Sequence, residues 1–66
     1  MTLGERLRTI RKTDGLTQDD FADKLDVSQS VISDIERDYK NPTLYTLRRI
    51  AHALDMTMSE LLQGVD

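Results

Sequence analysis

A polar face on one short helix is the part of this sequence best suited to binding chemistry. The helical repeat places four side chains together on its outer side: Gln29, Ser30, Val31 and Asp34. Ile32 and Ile35 fall on the opposite, inward side. Amide, hydroxyl and carboxylate groups donate and accept hydrogen bonds, so this face suits a partner that presents both kinds of group. A helix held in this way across another helix can enter the major groove of DNA.

Residues 18–37, with the sequence QDDFADKLDVSQSVISDIER, contain this helix and a second one before it. In the earlier helix, Phe21, Ala22 and Leu25 share one face at three- and four-residue spacing. Ala22 is small, which suits a position where two helix axes cross closely. Asp26 interrupts this helix, and the side chain of Ser28 can cap the next one. The pattern predicts a helix–turn–helix unit over residues 17–37.

Catalytic and metal-binding chemistry has little support elsewhere in the chain. His52, the only histidine, lies within a predicted helix and has no partner for acid–base work. Asp19 and Asp23 are one helical turn apart, but two carboxylates make a weak cation site, so a solvated face is the better interpretation. The absence of cysteine excludes disulfides, thiolate metal sites and cysteine nucleophiles. We therefore expect no enzyme, no metal and no other cofactor.

Length and charge restrict the remaining classes. A chain of 66 residues is expected to form a single small domain over residues 1–66. No apolar run approaches the roughly 20 residues that cross a bilayer, and the charged N-terminal segment is unlike a signal peptide. We expect a soluble, cytoplasmic protein with no membrane partner.

The net charge of −3 argues against nucleic acid as a partner unless the acidic residues are localised. Residues 17–26 contain four aspartates and one lysine, so this segment carries the whole excess and the rest of the chain is neutral. A helix that turns these aspartates away from DNA leaves the contacting face free of excess acid. Non-specific affinity for DNA should still be weak and salt-sensitive, because few cations are available to replace phosphate counterions.

Capping residues divide the chain into five predicted helices. A serine or threonine occupies each capping position: Thr2, Thr17, Ser28, Thr43 and Thr57. Thr2 and Thr57 are each followed three residues later by glutamate, which completes a capping box. The first helix is expected over 3–12, the third over 28–37 and the fifth over 57–63, and apolar residues recur at helical spacing over 44–54. Since no segment alternates with a two-residue period, we predict an all-α fold.

The order and spacing of six segments connect the chain with a known family. They are LRTIRK at 7–12, GLTQ at 15–18, FADKL at 21–25, SQSVISDIER at 28–37, NPT at 41–43 and LYTLRRIAHAL at 44–54. Together they resemble the Cro/repressor-type, or XRE, helix–turn–helix family over nearly the whole chain. The resemblance implies a compact five-helix, lambda-repressor-like DNA-binding domain with its helix–turn–helix at helices 2 and 3.

The resemblance implies base contacts on the outer face of helix 3. The residues at the family's base-reading positions are Gln29, Ser30, Val31 and Asp34. Glutamine can form two hydrogen bonds with adenine, serine can bond to several base edges, and a valine methyl can pack against the methyl of thymine. Asp34 is discordant, because a carboxylate accepts from cytosine N4 but repels phosphate. The alternative for these residues is an ordinary solvated face.

Phosphate contacts are implied on both sides of that helix. They comprise Gln18, Thr17 and Arg11 on one side and Arg37, Lys40, Asn41 and Thr43 on the other. Free N–H groups at the starts of helices 2 and 4 favour anions there. In the family, the positions of Arg11 and Glu36 form a buried salt bridge between helices 1 and 3. For Arg37 and Lys40 a solvated position is the alternative.

Two aspartates depart from the family pattern. Asp26 and Asp38 stand where the family often has glycine, in the turn and after helix 3. Aspartate tolerates left-handed backbone better than most residues, so the fold is expected to survive. Asp38 is expected to weaken DNA binding, because its charge lies beside the implied phosphate path.

The end of the chain is rich in apolar side chains that a small core does not need. The expected dimer interface comprises Met56, Met58, Leu61, Leu62 and Val65, with Tyr45 or its neighbour Leu44 from helix 4. An apolar patch left on a small domain often marks an interface. A dimer would set two recognition helices about 34 Å apart on a palindromic operator. The alternative is that these side chains only complete the core.

Two functions fit this sequence. The favoured prediction is a sequence-specific transcriptional regulator, acting as a repressor, that binds double-stranded DNA as a homodimer with helix 3 in the major groove. The alternative is a protein-interaction module on the same scaffold, such as an antitoxin-like partner, with weak DNA binding. The acidic composition favours the second, and the polar face of helix 3 favours the first.

Overall fold

The computed structural model describes residues 1–66 as five helices without a strand. Their bounds are α1 Leu3–Thr13, α2 Gln18–Leu25, α3 Gln29–Glu36, α4 Leu44–Ala53 and α5 Met58–Leu61. The prediction of an all-α, five-helix fold is confirmed. None of these helices has the length and apolar character that crossing a lipid bilayer requires.

Each helix begins at a hydroxyl side chain. The N-cap residues are the predicted ones, Thr2, Thr17, Ser28, Thr43 and Thr57, and each accepts a hydrogen bond from the backbone N–H three residues later. Glu5 and Glu60 bond back to the cap residue as predicted, and Asp20 does the same in α2. The backbone N–H groups of Thr2 and Thr57 hold the pKa of Glu5 and Glu60 below its ordinary value.

The first four helices end in one shared backbone motif. A residue with left-handed backbone follows each of them: Gly15 (φ 70°), Asp26 (φ 57°), Asp38 (φ 57°) and Asp55 (φ 56°). Its N–H and the next N–H turn back to carbonyls of the last helical turn, as in the bonds from Asp38 N to Ile35 O and from Tyr39 N to Asp34 O. The expectation that aspartate adopts this backbone at positions 26 and 38 is confirmed, and Asp55 is a third case.

The core takes residues from all five helices. Its buried apolar members are Leu7, Phe21, Ala22, Leu25, Ile32, Ile35, Ile50, Ala51 and Leu61. Ala22 is 3% exposed, as its predicted place in the helix–turn–helix requires. The apolar face of α3 is therefore buried, and this leaves its opposite face towards solvent.

The last helix differs from its prediction in both length and role. Instead of 57–63, α5 covers only Met58–Leu61. Leu61, one of the predicted interface residues, is fully buried in the core, so its side chain adds no surface to one copy of the domain. The reason is that α1 holds the short helix inward: Arg6 donates to the carbonyl oxygens of Leu61 (3.0 Å) and Glu60 (2.8 Å). The other predicted interface residues from this segment are half-buried: Met56, Met58, Leu62 and Val65.

The start of α1 packs very closely on the end of α3. A β-carbon at Gly4 would stand 2.5 Å from the carbonyl oxygen of Ile35 and 2.7 Å from that of Glu36. The carboxylate of Asp38 accepts hydrogen bonds from the Gly4 N–H (3.0 Å) and from the Thr2 hydroxyl (2.7 Å). The charge of Asp38 is thus engaged by α1, and this residue fastens the end of α3 to the scaffold.

Candidate nucleic-acid interface

The outer face of α3 presents three of its four predicted residues together. Gln29, Ser30 and Val31 are exposed, with Val31 at 38%. The side chains of Gln29 and Ser30 have no hydrogen-bond partner within the protein, so their donors and acceptors are free for a ligand. Ile32, on the opposite side of the helix, is fully buried and fixes the direction in which this face points.

Asp34 differs from the other three, because its carboxylate is already paired. One oxygen accepts a hydrogen bond from Arg37 Nη2 at 3.1 Å, and the other lies 3.8 Å from Lys40 Nζ. Its side chain is 23% exposed, compared with 61% for Arg37 and 69% for Lys40. The carboxylate that was predicted to face a base is therefore engaged by two cations of the following loop.

Glu36 connects three helices beneath the polar face. It is 1% exposed and receives two hydrogen bonds from Arg11, from Nε at 2.7 Å and from Nη2 at 3.0 Å. Gln18 Nε2 of α2 donates to the same carboxylate at 3.2 Å. The hydrogen bond to Glu36 raises the pKa of Arg11, with burial opposing it. α1, α2 and α3 are thus joined at one carboxylate, which we call the Glu36 junction.

Arg11 was expected to contact phosphate as well as to pair with Glu36. Its side chain is only 13% exposed, and Nη1 donates to the carbonyl oxygen of Leu16 at 3.0 Å. In this arrangement the guanidinium is directed into the protein, so Arg11 supports the surface instead of forming it.

The start of α2 offers backbone donors beside the polar face. The Thr17 hydroxyl accepts from Asp20 N at 3.1 Å, and Asp20 in turn accepts from Thr17 N at 3.2 Å. The N–H groups of Gln18 and Asp19 keep no partner in the protein, as is usual for the first turn of a helix. These two backbone N–H groups are therefore available to an anion at the start of α2.

The loop from α3 to α4 supplies the second group of predicted phosphate ligands. Arg37, Lys40, Asn41 and Thr43 are all exposed. The guanidinium of Arg37 lies over the ring of Tyr39 at 5.3 Å from its centre. The Thr43 hydroxyl caps α4 by accepting from Thr46 N at 3.1 Å. This loop therefore brings two cations and one helix start to the end of α3.

Most cations in the protein already have internal partners. Of nine lysines and arginines, six form ion pairs with carboxylates: Arg8, Arg11, Lys24, Arg37, Lys40 and Arg49. Arginines also close helix ends, since Arg8 donates to the Glu36 carbonyl at 2.7 Å and Arg49 to the Asp26 carbonyl at 3.3 Å. Sequence reasoning missed these links, because the partners lie 28 and 23 residues apart and no local pattern marks them.

A partly apolar groove lies between the end of α2, the outer face of α4 and the start of α5, with charged residues of α2 and α4 also in its lining. Its volume is about 670 Å³, and three predicted interface residues line it: Tyr45, Met56 and Met58. Tyr45 is 69% exposed and its neighbour Leu44 is 66% exposed. Arg49 lies over the Tyr45 ring at 5.8 Å from its centre.

Comparison with known proteins gives a consistent family. The helix-turn-helix family model HTH_3 matches residues 7–61. The chain is 45% identical over 62 residues to the immunity repressor protein of Bacillus phage phi105, covering 94% of this chain and 43% of the repressor. It is 41% identical over 66 residues to the HTH-type transcriptional regulator DdrOP3 of Deinococcus deserti, covering 100% of this chain and 51% of that regulator.

A solved structure gives the same picture. The crystal structure of SinR, described as the master regulator for biofilm formation and solved in complex with DNA, superimposes with a TM-score of 0.80. Sequence identity is 32%, and the match covers 92% of this chain and 98% of that one.

The chain spans about half the length of the first curated relatives it matches, at 43%, 51% and 49%. These relatives carry the names of repressors and transcriptional regulators, which confirms the prediction that the chain is not an enzyme. The chain belongs to the helix-turn-helix family HTH_3, as the Cro/repressor-type motifs of its sequence indicated.

Proposed function

We propose that this domain is a sequence-specific DNA-binding regulator of transcription that acts as a repressor. The observation that carries the proposal is the exposed face of α3, where Gln29 and Ser30 have no partner within the protein. In the proposed complex α3 lies in the major groove. Gln29 bonds to adenine, Ser30 to a base edge, and Val31 packs on a thymine methyl.

Phosphate contacts on either side would fix the orientation of α3 in the groove. On one side, the start of α2 offers its free N–H groups at Gln18, next to the cap residue Thr17. On the other side, the loop before α4 offers Arg37 and Lys40, with Asn41 and Thr43 at the helix start. Arg11 acts indirectly in this proposal, through the Glu36 junction.

We further propose that the protein binds a palindromic operator as a homodimer. Its largest extents are 25 × 24 × 23 Å, which is less than the ~34 Å of one DNA turn, so one copy reaches one half-site. The groove lined by Tyr45, Met56 and Met58 supplies an apolar surface for the second copy. Leu62 and Val65, which follow α5 in the chain, are half-buried and would extend this surface.

Selection from a random pool of DNA duplexes at low salt tests the proposal. The unmodified protein should enrich a two-fold symmetric sequence. Gln29→Ala should lose preference at one base pair of each half-site, by about 1–3 kcal/mol. Thr13→Ala is the control, since Thr13 is exposed at the end of α1 and belongs to neither the proposed DNA contacts nor the proposed dimer surface. A protein that enriches no sequence at low salt would refute the proposal.

That negative result would favour the protein-interaction module. The observation on its side is that six of nine cations are already paired in a chain of net charge −3. Relatives of this chain include transcriptional regulators of bacteria, in which DNA lies in the cytoplasm. We therefore also propose a cytoplasmic location.

A further inference from the structure

We infer that Asp34 is a counter-ion that restrains the two cations at the end of α3 and thereby lowers affinity for DNA of any sequence. In this role Asp34 does not read a base. The inference rests on the proposed DNA-binding function and concerns one residue of the same surface.

Both oxygens of the Asp34 carboxylate are engaged from the side of the loop. Arg37 Nη2 donates to Oδ1 at 3.1 Å, and Lys40 Nζ lies 3.8 Å from Oδ2. At 23% exposure the carboxylate is covered more than either cation, at 61% and 69%. The carboxylate is therefore less accessible to a ligand than either cation.

The backbone holds this cluster together. Asp38 turns the chain with its left-handed backbone (φ 57°), and the N–H groups of Tyr39 and Lys40 then donate to the Asp34 carbonyl oxygen at 2.9 and 3.4 Å. This turn of the backbone brings Lys40 back beside Asp34, whose carboxylate its side chain faces. Arg37 is held from its other side by the Tyr39 ring at 5.3 Å.

The charges of this cluster determine what DNA would meet. Two cations and one carboxylate sum to +1, so the cluster neutralises about one phosphate where the cations alone would neutralise two. That reduction applies to every sequence, because phosphates carry no sequence information. Specificity is a difference between affinities, so a loss common to all sequences lowers the total affinity and leaves the discrimination by Gln29 and Ser30 unchanged.

The decisive variant is Asp34→Asn, which removes the charge and keeps the shape. Asp14→Asn is the matched control: it raises the net charge equally and removes an ion pair to Lys24 at 3.8 Å, at the C-terminal end of α1. Dissociation constants are measured over a salt series, on a mixed-sequence duplex and on the duplex selected by the unmodified protein. Asp34→Asn should bind the mixed duplex about tenfold more tightly at low salt, and its log–log salt slope should steepen by about 0.9 per protomer. Asp14→Asn should leave the slope unchanged.

Two further variants sharpen the result. Asp34→Ser should show the same gain in affinity and the same salt slope as Asp34→Asn. This agreement would exclude a new contact between the asparagine amide and DNA. Adding Arg37→Ala and Lys40→Ala to Asp34→Asn should abolish the gain, because the cations released by the first change are then missing.

The outcomes separate the inference from the proposed function. A protein that selects a sequence, but whose Asp34→Asn variant has the salt slope of Asp14→Asn, overturns the inference alone. So does an Asp34→Asn variant that loses a cytosine preference at one position with no gain on mixed DNA, since Asp34 then reads a base. Failure of the unmodified protein to select any sequence overturns the proposed function, and the inference with it.

Discussion

At the scale of single residues, Glu36 shows how a small domain can bury a charge. A carboxylate removed from water costs several kcal/mol unless its charge and lone pairs are satisfied. Arg11 supplies two hydrogen bonds and Gln18 a third, and no buried polar side-chain atom lacks a partner. The same contacts that satisfy Glu36 hold α3 in a fixed orientation against α1 and α2.

Removal of that charge should be costly. Glu36→Gln leaves the guanidinium of Arg11 without its counter-ion, so we expect a loss of about 3 kcal/mol in the free energy of unfolding. Asp23→Asn is the control: it removes one negative charge from an exposed side chain on α2 that makes no hydrogen bond. Urea unfolding followed by circular dichroism gives both values. A loss for Glu36→Gln as small as that for Asp23→Asn would contradict this account.

The glutamates of the capping boxes predict how stability depends on pH. The pKa of Glu5 and of Glu60 is lowered from 4.5 by hydrogen bonds from the cap residues. A carboxylate with a lowered pKa stabilises the fold above its unfolded pKa, and this stabilisation is lost as pH falls through the folded value. The double variant Glu5→Gln with Glu60→Gln should therefore be less stable than the unmodified protein at neutral pH, with the difference vanishing in acid. Thermal melting from neutral pH to about pH 2 tests this, and a constant difference would refute it.

At the scale of elements, each helix is delimited by short-range chemistry. A hydroxyl side chain starts all five, and glycine or aspartate with left-handed backbone ends the first four. Side chains near the helix ends then have one of two roles. Some only permit the backbone turn, as at Asp55, and others also bind a neighbouring element, as at Asp38.

Glycine substitutions separate these two roles. Asp55 has left-handed backbone (φ 56°) and no hydrogen bond from its side chain, so Asp55→Gly should stabilise the fold by about 0.5 kcal/mol. Asp38→Gly relieves the same backbone conformation but loses the bonds from Thr2 and Gly4, so a net loss of about 1 kcal/mol is expected. Chemical unfolding of both variants tests the contrast. If both variants were more stable than the unmodified protein, the hydrogen bonds of the Asp38 side chain would contribute little to the free energy of unfolding.

Contact between α1 and α3 leads to a second prediction about elements. Alanine normally stabilises a helix relative to glycine by about 1 kcal/mol. At Gly4 the new methyl would lie 2.5 Å from a backbone oxygen of α3, so we expect Gly4→Ala to cost about 2 kcal/mol net. Gly15→Ala, in open space at φ 70°, should cost about half as much through its backbone alone. If Gly4→Ala and Gly15→Ala lowered the free energy of unfolding equally, α1 and α3 would be able to separate enough to admit the methyl group.

The five helix starts and the two left-handed aspartates were predictable from the sequence, because capping and turn chemistry act over three or four residues. The contacts of Asp34, Asp38 and Arg6 were not, because each depends on how helices lie against one another. The burial of Leu61 in the core was not predictable either, for the same reason. Helical spacing shows which side chains share a face, but it does not show whether that face meets the core or a second copy.

At the scale of the whole molecule, the cations hold helices together more than they create a basic surface. Six pair with carboxylates, while Arg6 donates to backbone carbonyls of α5. Exposed large apolar side chains lie on the proposed DNA side, at Val31 and Tyr39, and on α4, at Leu44 and Tyr45. The dimer proposal uses the pair on α4.

A pair of tyrosines tests the dimer surface. Tyr45→Ser removes a ring from the partly apolar groove, so we expect a sedimentation equilibrium that shifts from dimer towards monomer at micromolar concentrations. Tyr39→Ser is matched in exposure, at 70% compared with 69%, but it lies in the loop after α3 and should leave the dimer intact. An unmodified protein that is monomeric throughout this range would contradict the dimer proposal.

The Glu36 junction also has a consequence for the thermodynamics of association. Arg11, Gln18 and Glu36 have given up their rotational freedom before any ligand arrives, so that entropy loss belongs to folding and not to binding. Ordering a long side chain on binding costs about 0.5–1.5 kcal/mol, and these three side chains beneath the interface do not add that cost. The domain should therefore bind as a rigid body, with a heat-capacity change proportional to the apolar area that meets DNA and no contribution from coupled folding.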